Sequence, residues 1–452
     1  MRSLDSPPLA PLPFMDSIAA RLGVVLLATM LALGVAACEQ PTHENIERWR
    51  GTQKGPEKLE SALRDQSLAP DLRAHAAAVL VALEQRDLVG KVLGVSADPK
   101  RAAVAEELVP RLWKDAKLLE QERAATPAQI AARDALFELR PLVGDERRAE
   151  IDGYLLDALT AGGLYEQRAG AGVYRGDQLV RAIGARAAPR LVELARQIVA
   201  THEKRSFLLL GPALLKALAA TGSPDAAGLL LELAAKADEK QEDLQIRAMG
   251  ALYTAYVEQG EEPRVDAAGL RPHLARLARF PYADVPGENI NMSYELLAVT
   301  GMPDCLPPLV ELARHPSMPL RLRAVEFAMQ CGGAAAILPL AEALPAGEYR
   351  QVDLQRYVAQ KVPAEARAQA AEHARVLVRP GGPLHTRFLG LELLGELGGI
   401  IDVPLLLELA RERTRLKGYW GDQRSKPRKE QRVEPTLGAR AKEISDALMQ
   451  RG

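Results

Sequence analysis

Six cations and two adjacent aromatic residues crowd one stretch near the C-terminus: Lys417, Tyr419, Trp420, Arg424, Lys426, Arg428, Lys429 and Arg432. Cations beside Tyr and Trp are the residue types that hold an anionic group or anchor an interface. Tyr419, Trp420, Arg424, Lys426, Arg428 and Lys429 are therefore the candidate partner-binding residues, for an acidic protein, an anionic glycan or a lipid headgroup. The other reading is a solvated linker whose Trp folds back onto the neighbouring helices. Other chemistry is thin. The seven histidines (His43, His75, His202, His273, His315, His373, His385) lie far apart in sequence, with no His-Glu-x-x-His and no Cys-x-x-Cys, so no zinc motif and no metal ligand is assigned. No Gly-x-Ser-x-Gly elbow is present either. The glycine-rich run Gly162 to Gly176 lacks a following Gly-Lys-Ser/Thr and reads as a loop, not a phosphate cradle. A third irregular stretch, Phe280 to Tyr294, reads as a long turn with asparagines that could cap helices or contact a ligand. No catalytic residue and no cofactor site emerge, and catalysis would need a site assembled from distant elements.

The elements that must position these residues are helices. Leu, Ala, Arg and Glu dominate, and aromatic residues make up only 4% of the 452 residues, which favours helices over sandwiches or barrels. Three segments share one turn and one apolar helix: Gly222-Ser-Pro-Asp225-Ala-Ala-Gly-Leu-Leu-Leu-Glu-Leu-Ala, Gly301-Met-Pro-Asp304-Cys-Leu-Pro-Pro-Leu-Val-Glu-Leu-Ala and Gly399-Ile-Ile-Asp402-Val-Pro-Leu-Leu-Leu-Glu-Leu-Ala. A weaker copy starts at Gly333. Glycine suits the end of the incoming helix, the aspartate can cap the next, and proline in the first turn loses no hydrogen bond. A second motif places Arg73, Arg247, Arg323 and Arg387 shortly after the start of an alternating helix. The middle, Thr126 to Thr221, has the weakest periodicity and is expected to hold longer, irregular helices. Formal net charge is -1, which leaves no global nucleic-acid footprint and implies no nucleic-acid partner.

The alternation of helix, turn and arginine-bearing helix resembles the HEAT-repeat family of α-solenoids. The resemblance implies an all-α fold, a right-handed α-solenoid of stacked antiparallel helix pairs over residues 56–451, with the basic loop 415–435 as an insertion. The sequence departs from the family at one point: the aspartate usual six residues before the arginine is replaced by Ser67, Gln241 and Ser317. A second resemblance lies at the start. The apolar run Leu22 to Ala37 is shorter than a spanning helix and ends in Val35-Ala36-Ala37-Cys38, which is similar to the lipobox of bacterial lipoprotein precursors. This implies a signal peptide over residues 1–37, with Met15 a plausible true start, lipid attachment at Cys38, and a tether over residues 38–55. Glu39, where enteric inner-membrane lipoproteins carry Asp, favours the outer membrane facing the periplasm. Acylation of Cys38 leaves Cys305 and Cys331 as a pair in an exported protein, at neighbouring ends of one antiparallel hairpin. They form either a disulfide or two buried thiols. The functional expectation is a non-enzymatic envelope scaffold for protein partners. The alternatives are an enzyme with a site on the solenoid surface, or a binder of cell-wall glycan or lipopolysaccharide through the basic loop.

Overall fold

A computed structural model describes residues 39–95, 97–116, 125–163, 165–201, 210–236, 242–258, 264–278, 287–344, 351–420, 424 and 426–451. The apolar run Leu22 to Ala37 and Cys38, on which the signal-peptide and lipid-attachment expectations rest, lie outside the described residues, as do residues 280–286 of the third irregular stretch. The described residues are all-α: the only β pairing among them is an isolated bridge between Arg415 and Thr436.

The chain divides into two compact units, residues 1–158 and 159–452. The first contains α1 (His43–Trp49), α2 (Gly55–Arg64), α3 (Pro70–Ala82), α4 (Arg86–Leu93), α5 (Arg101–Ala116) and α6 (Pro127–Leu139), with α7 (Asp145–Thr160) reaching the division in sequence. Helix α3 is its centre, packed against α1, α2, α4, α5 and α6. Leu59, Leu63, Leu80, Leu108, Leu112 and Leu136 are buried there. The stretch expected to be a tether is instead docked. Thr42 caps α1 by accepting from Asn45 N–H, and Ile46 and Trp49 are buried. Glu39 accepts a hydrogen bond from the Trp49 indole at 2.6 Å and pairs with Lys58 at 3.1 Å and with Arg48. Ile46 and Trp49 are three residues apart and so share one face of this short helix, which is enough to hold it once a neighbour covers them.

The second unit contains α8 (Tyr165–Arg168), α9 (Gly176–Ile183), α10 (Ala188–Thr201), α11 (Pro212–Ala220), α12 (Pro224–Lys236), α13 (Glu242–Tyr256), α14 (Leu274–Ala278) and α15 (Gly287–Ala298). It continues through α16 (Leu306–Leu312), α17 (Met318–Gly332), α18 (Ile337–Ala343), α19 (Gln351–Gln360), α20 (Arg367–Leu377), α21 (Leu384–Leu397), α22 (Val403–Leu409) and α23 (Leu437–Arg451). Chain neighbours pair as α12 with α13, α14 with α15, α16 with α17, α20 with α21 and α22 with α23. The second members then contact one another in succession: α11, α13, α15, α17, α19, α21, α23. The first members α14, α16, α18 and α20 do likewise. Where α21 crosses α20, Gly390 lets the backbones close, since a Cβ there would sit 2.8 Å from Val378 and 3.0 Å from the Ala374 carbonyl. The segment from Thr126 to Thr221 is helical too, but its helices are of ordinary length, 14 residues in α10, and are broken by short 3-10 turns.

The turn residues behave only partly as their types suggest. Gly222 and Gly301 adopt φ of +66° and +71°, the left-handed conformation that ends a helix, whereas Gly399 is extended. The three aspartates are not equivalent caps. Ser223, not Asp225, caps α12 by accepting from Asp225 N–H; Asp304 pairs with Arg271; and Asp402 accepts from Gly399 N–H and from Arg375.

The arginine motif has a structural rule that spacing alone conceals. The buried arginines Arg73, Arg321 and Arg387 all occupy the fourth position of their helices, α3, α17 and α21. Arg323, the residue expected in this role, is exposed and pairs with Glu326 on its own helix. Each buried guanidinium donates to a carbonyl that precedes its helix: Leu63, Pro316 and Val378 respectively. In two copies the carboxylate partner comes 25 residues after the arginine: Asp98 for Arg73 and Glu412 for Arg387. The acid missing at six residues before is thus supplied from the following turn.

Cys305 stands at the N-cap of α16 and Cys331 near the end of α17, and the structure joins them with Cα atoms 6.5 Å apart. Reduction is expected to lower stability by about 3 kcal/mol, the loop-entropy value for a closed segment of this length. Urea unfolding with and without reductant measures it; free alkylation of both cysteines in denatured, unreduced protein would instead identify two thiols.

Candidate functional site

The basic loop 415–435 is closed at its base rather than left as a free linker. Leu416 N–H donates to the Pro435 carbonyl and Leu437 N–H to the Thr414 carbonyl, both at 2.8 Å. Inside the loop, the Glu434 carboxylate accepts from the N–H groups of Gly418 and Tyr419 at 3.2 and 3.0 Å. Above these bonds the rings of Tyr419 and Trp420 meet edge-on, their centroids 4.6 Å apart, but they differ in burial.

Tyr419 points inward. It is 8% exposed, its ring meets Phe388 of α21 edge-on, and its hydroxyl accepts from Arg356 of α19 at 2.7 Å. Trp420 is 37% exposed; its indole N–H donates to the Val433 carbonyl at 3.2 Å and Arg432 lies over its ring. Of the two candidate aromatic residues, Tyr419 therefore anchors the loop and Trp420 is the more exposed. Arg424, Lys426, Arg428 and Lys429 are exposed. Lys426, Arg428 and Lys429 form no ion pair among the described residues.

Beneath the loop lies a charge cluster that the sequence reading did not single out. Glu392, 3% exposed in the middle of α21, accepts two bonds from Arg440 of α23 at 2.8 and 3.0 Å and one from Arg356 at 3.2 Å. Arg440 also pairs with Glu443 at 2.8 Å. Burial disfavours the Arg440 cation, yet the bonds to Glu392 outweigh it and hold the proton more firmly than usual. Burial likewise pushes the Tyr419 phenol up, against the pull of Arg440 and Arg356. One carboxylate thus fastens α19, α21, α23 and the loop. The available signal was the glutamate itself, flanked by Leu391 and Leu393 in a run of apolar residues.

The glycine-rich segment Gly162–Gly176 folds around Tyr165, which is buried and whose phenol is pushed up by that burial. Glu166 accepts from Ala213 and Leu214 N–H and so caps α11, a structural role. Among the described residues no group of three or more His, Cys, Asp or Glu side chains could hold a metal ion. No protein-family model matches the chain, and no curated protein is detectably similar to it. The described part of the loop thus combines a partly exposed Trp420 with the exposed cations Arg424, Lys426, Arg428 and Lys429, and is tied at its base to α19 and α21.

Proposed function

We propose that the chain is a lipid-anchored protein of the bacterial cell envelope whose helix pairs form a HEAT-like α-solenoid acting as a scaffold for protein partners. The observation that carries the reading is the succession of helix pairs between α12 and α23, each sharing its apolar face with the next. Such arrays bury their core between repeats and leave loops of one face to carry specific contacts. The loop around Trp420 is the contact point. The leader ending in Val35-Ala36-Ala37-Cys38 supports acylation at Cys38 and a place at the outer membrane facing the periplasm. The three exposed cations Lys426, Arg428 and Lys429 favour an acidic partner surface; an anionic glycan is the second reading on the same observation.

Crosslinking in intact cells, followed by mass spectrometry of the captured material and of the mature N-terminus, tests both halves. A discrete envelope protein is expected, with its yield reduced about tenfold or more by Trp420→Ala, as for an interface anchor. An acylated, folded protein that captures glycan and no protein would transfer the reading to glycan binding. A mature N-terminus without acylated Cys38 would remove the membrane location.

A further inference from the structure

Two histidines that stand 32 residues apart in sequence meet on the surface of the first unit. Helix α1 carries His43 and Glu47, and α3 carries Asp71 and His75, each pair four residues apart and so on one helical face. The helices exchange partners. His43 Nε2 lies 2.9 Å from Asp71 of α3, and His75 Nε2 lies 2.7 Å from Glu47 of α1. The two Nδ1 atoms are then left facing each other at 2.8 Å. Ring centroids 5.0 Å apart with planes 30° from parallel place the nitrogens head-on rather than the rings face to face.

The carboxylates decide which nitrogens carry protons. Asp71 is also paired with Arg111 of α5, so its carboxylate sits between a guanidinium and the His43 ring. An ionised carboxylate only accepts, so His43 Nε2 donates to it, and His75 Nε2 donates to Glu47 in the same way. With both imidazoles neutral, the two Nδ1 atoms then face each other as lone pairs, and a 2.8 Å separation calls for a cation between them, either a proton on one Nδ1 or a metal ion. Histidines that bind a metal through one nitrogen characteristically donate the other N–H to a carboxylate, the arrangement found here twice.

We propose that His43 and His75 form a two-histidine site for a divalent transition-metal ion, bound through both Nδ1 atoms and oriented by Asp71 and Glu47. Imidazole ligands select Zn²⁺, Ni²⁺ or Cu²⁺ over Ca²⁺ or Mg²⁺. At metal–nitrogen distances of about 2.0–2.1 Å, a tetrahedral ion needs the two nitrogens roughly 0.5 Å further apart than they stand. His43, half exposed, has the room to swing, and its exposure leaves the remaining coordination positions to water. Two protein ligands at the surface make an exchangeable site, not a buried structural one. Its effect on the protein is to clamp α1 onto α3, because the ion binds only where both helices are in place.

Calorimetric titration of the full chain with Zn²⁺ or Ni²⁺ tests the site. One ion per chain is expected, with affinity at least about tenfold lower in His43→Gln and in His75→Gln. Asp71→Asn and Glu47→Gln, which leave both ligand nitrogens in place, are expected to weaken binding by about 10–100-fold, the loss typical of a carboxylate behind a metal-bound histidine. The melting temperature should rise with ion concentration in wild type and not in His75→Gln, with circular dichroism confirming that the variants stay helical. An absence of saturable binding, as for a pair that shares only a proton, overturns the proposal. So does binding that is indifferent to Asp71→Asn and Glu47→Gln, which would mark an adventitious histidine pair.

Discussion

Glu392→Ala is expected to destabilise the C-terminal part of the second unit by roughly 3–5 kcal/mol, the cost of breaking a buried ion pair from one side. Glu392 is the acceptor for Arg440 and Arg356, and removing it strands a guanidinium that is only 14% exposed. Glu443 can hold Arg440 only from the solvent side, at 65% exposure, and replaces little of the loss. The damage should spread to the loop, since Arg356 also holds the Tyr419 hydroxyl. Hydrogen exchange across Leu437–Arg451 and the base of the loop, together with urea unfolding, measures the effect. Replacing both partners by leucine should recover much of the stability, because an apolar pair leaves no unpaired charge. A loss below about 1 kcal/mol for Glu392→Ala would mean that water reaches the cluster and that the carboxylate does not fasten these helices.

In the first unit, Asp98→Ala is expected to cost a similar amount, roughly 3–5 kcal/mol, because Arg73 is wholly buried and, among the described residues, Asp98 is the carboxylate that ion-pairs with it. Arg73 would keep the Leu63 carbonyl at 2.8 Å but lose its countercharge. The same pair sets a pH dependence. The bond from Arg73 holds the Asp98 carboxyl below its ordinary value, so the folded state binds a proton there less readily than the unfolded chain. Its contribution is therefore present in full above the unfolded value of about 3.9 and is lost as pH falls through the lower folded value. Asp98→Asn should flatten the acid limb of the stability profile, measured by urea midpoints from neutral pH downward. A wild-type acid limb left unchanged by this substitution would assign acid sensitivity to other carboxylates. Arg387 and Glu412 repeat the arrangement, with Glu412 also held low by its arginine, but at 30% exposure the effect there should be smaller.

Helix type and helix partners were legible in the sequence because both depend on local rules. Prolines in first turns, left-handed glycines at helix ends and leucines at helical spacing mark α12, α16, α17 and α22 without reference to the rest of the chain. The paired position of Cys305 and Cys331 also followed from one hairpin. Local rules failed wherever a side chain chose between two near-equivalent sites. Arg321 and Arg323 differ by two residues, or about 200° around the helix, so only the packing of α17 decides which is buried and which is solvated. Docking of His43–Trp49 depended on Glu39 meeting Trp49 and Lys58, contacts that a polar, tether-like composition does not announce.

The candidate site divides in the same way. Its cations and aromatic residues were readable as types, but the opposite fates of Tyr419 and Trp420 were set by Phe388 and Arg356, from other helices. The cluster around Glu392 and the facing histidines draw on residues 28 to 48 positions apart. By itself the sequence determined an all-helical chain, the order of its helices and the residue chemistry of its loops, because hydrogen bonding and apolar periodicity act over a few residues. Tertiary structure alone decided which charges are buried, which aromatic ring is the more exposed and which histidines meet, because those depend on burial and on partners that folding brings from distant parts of the chain.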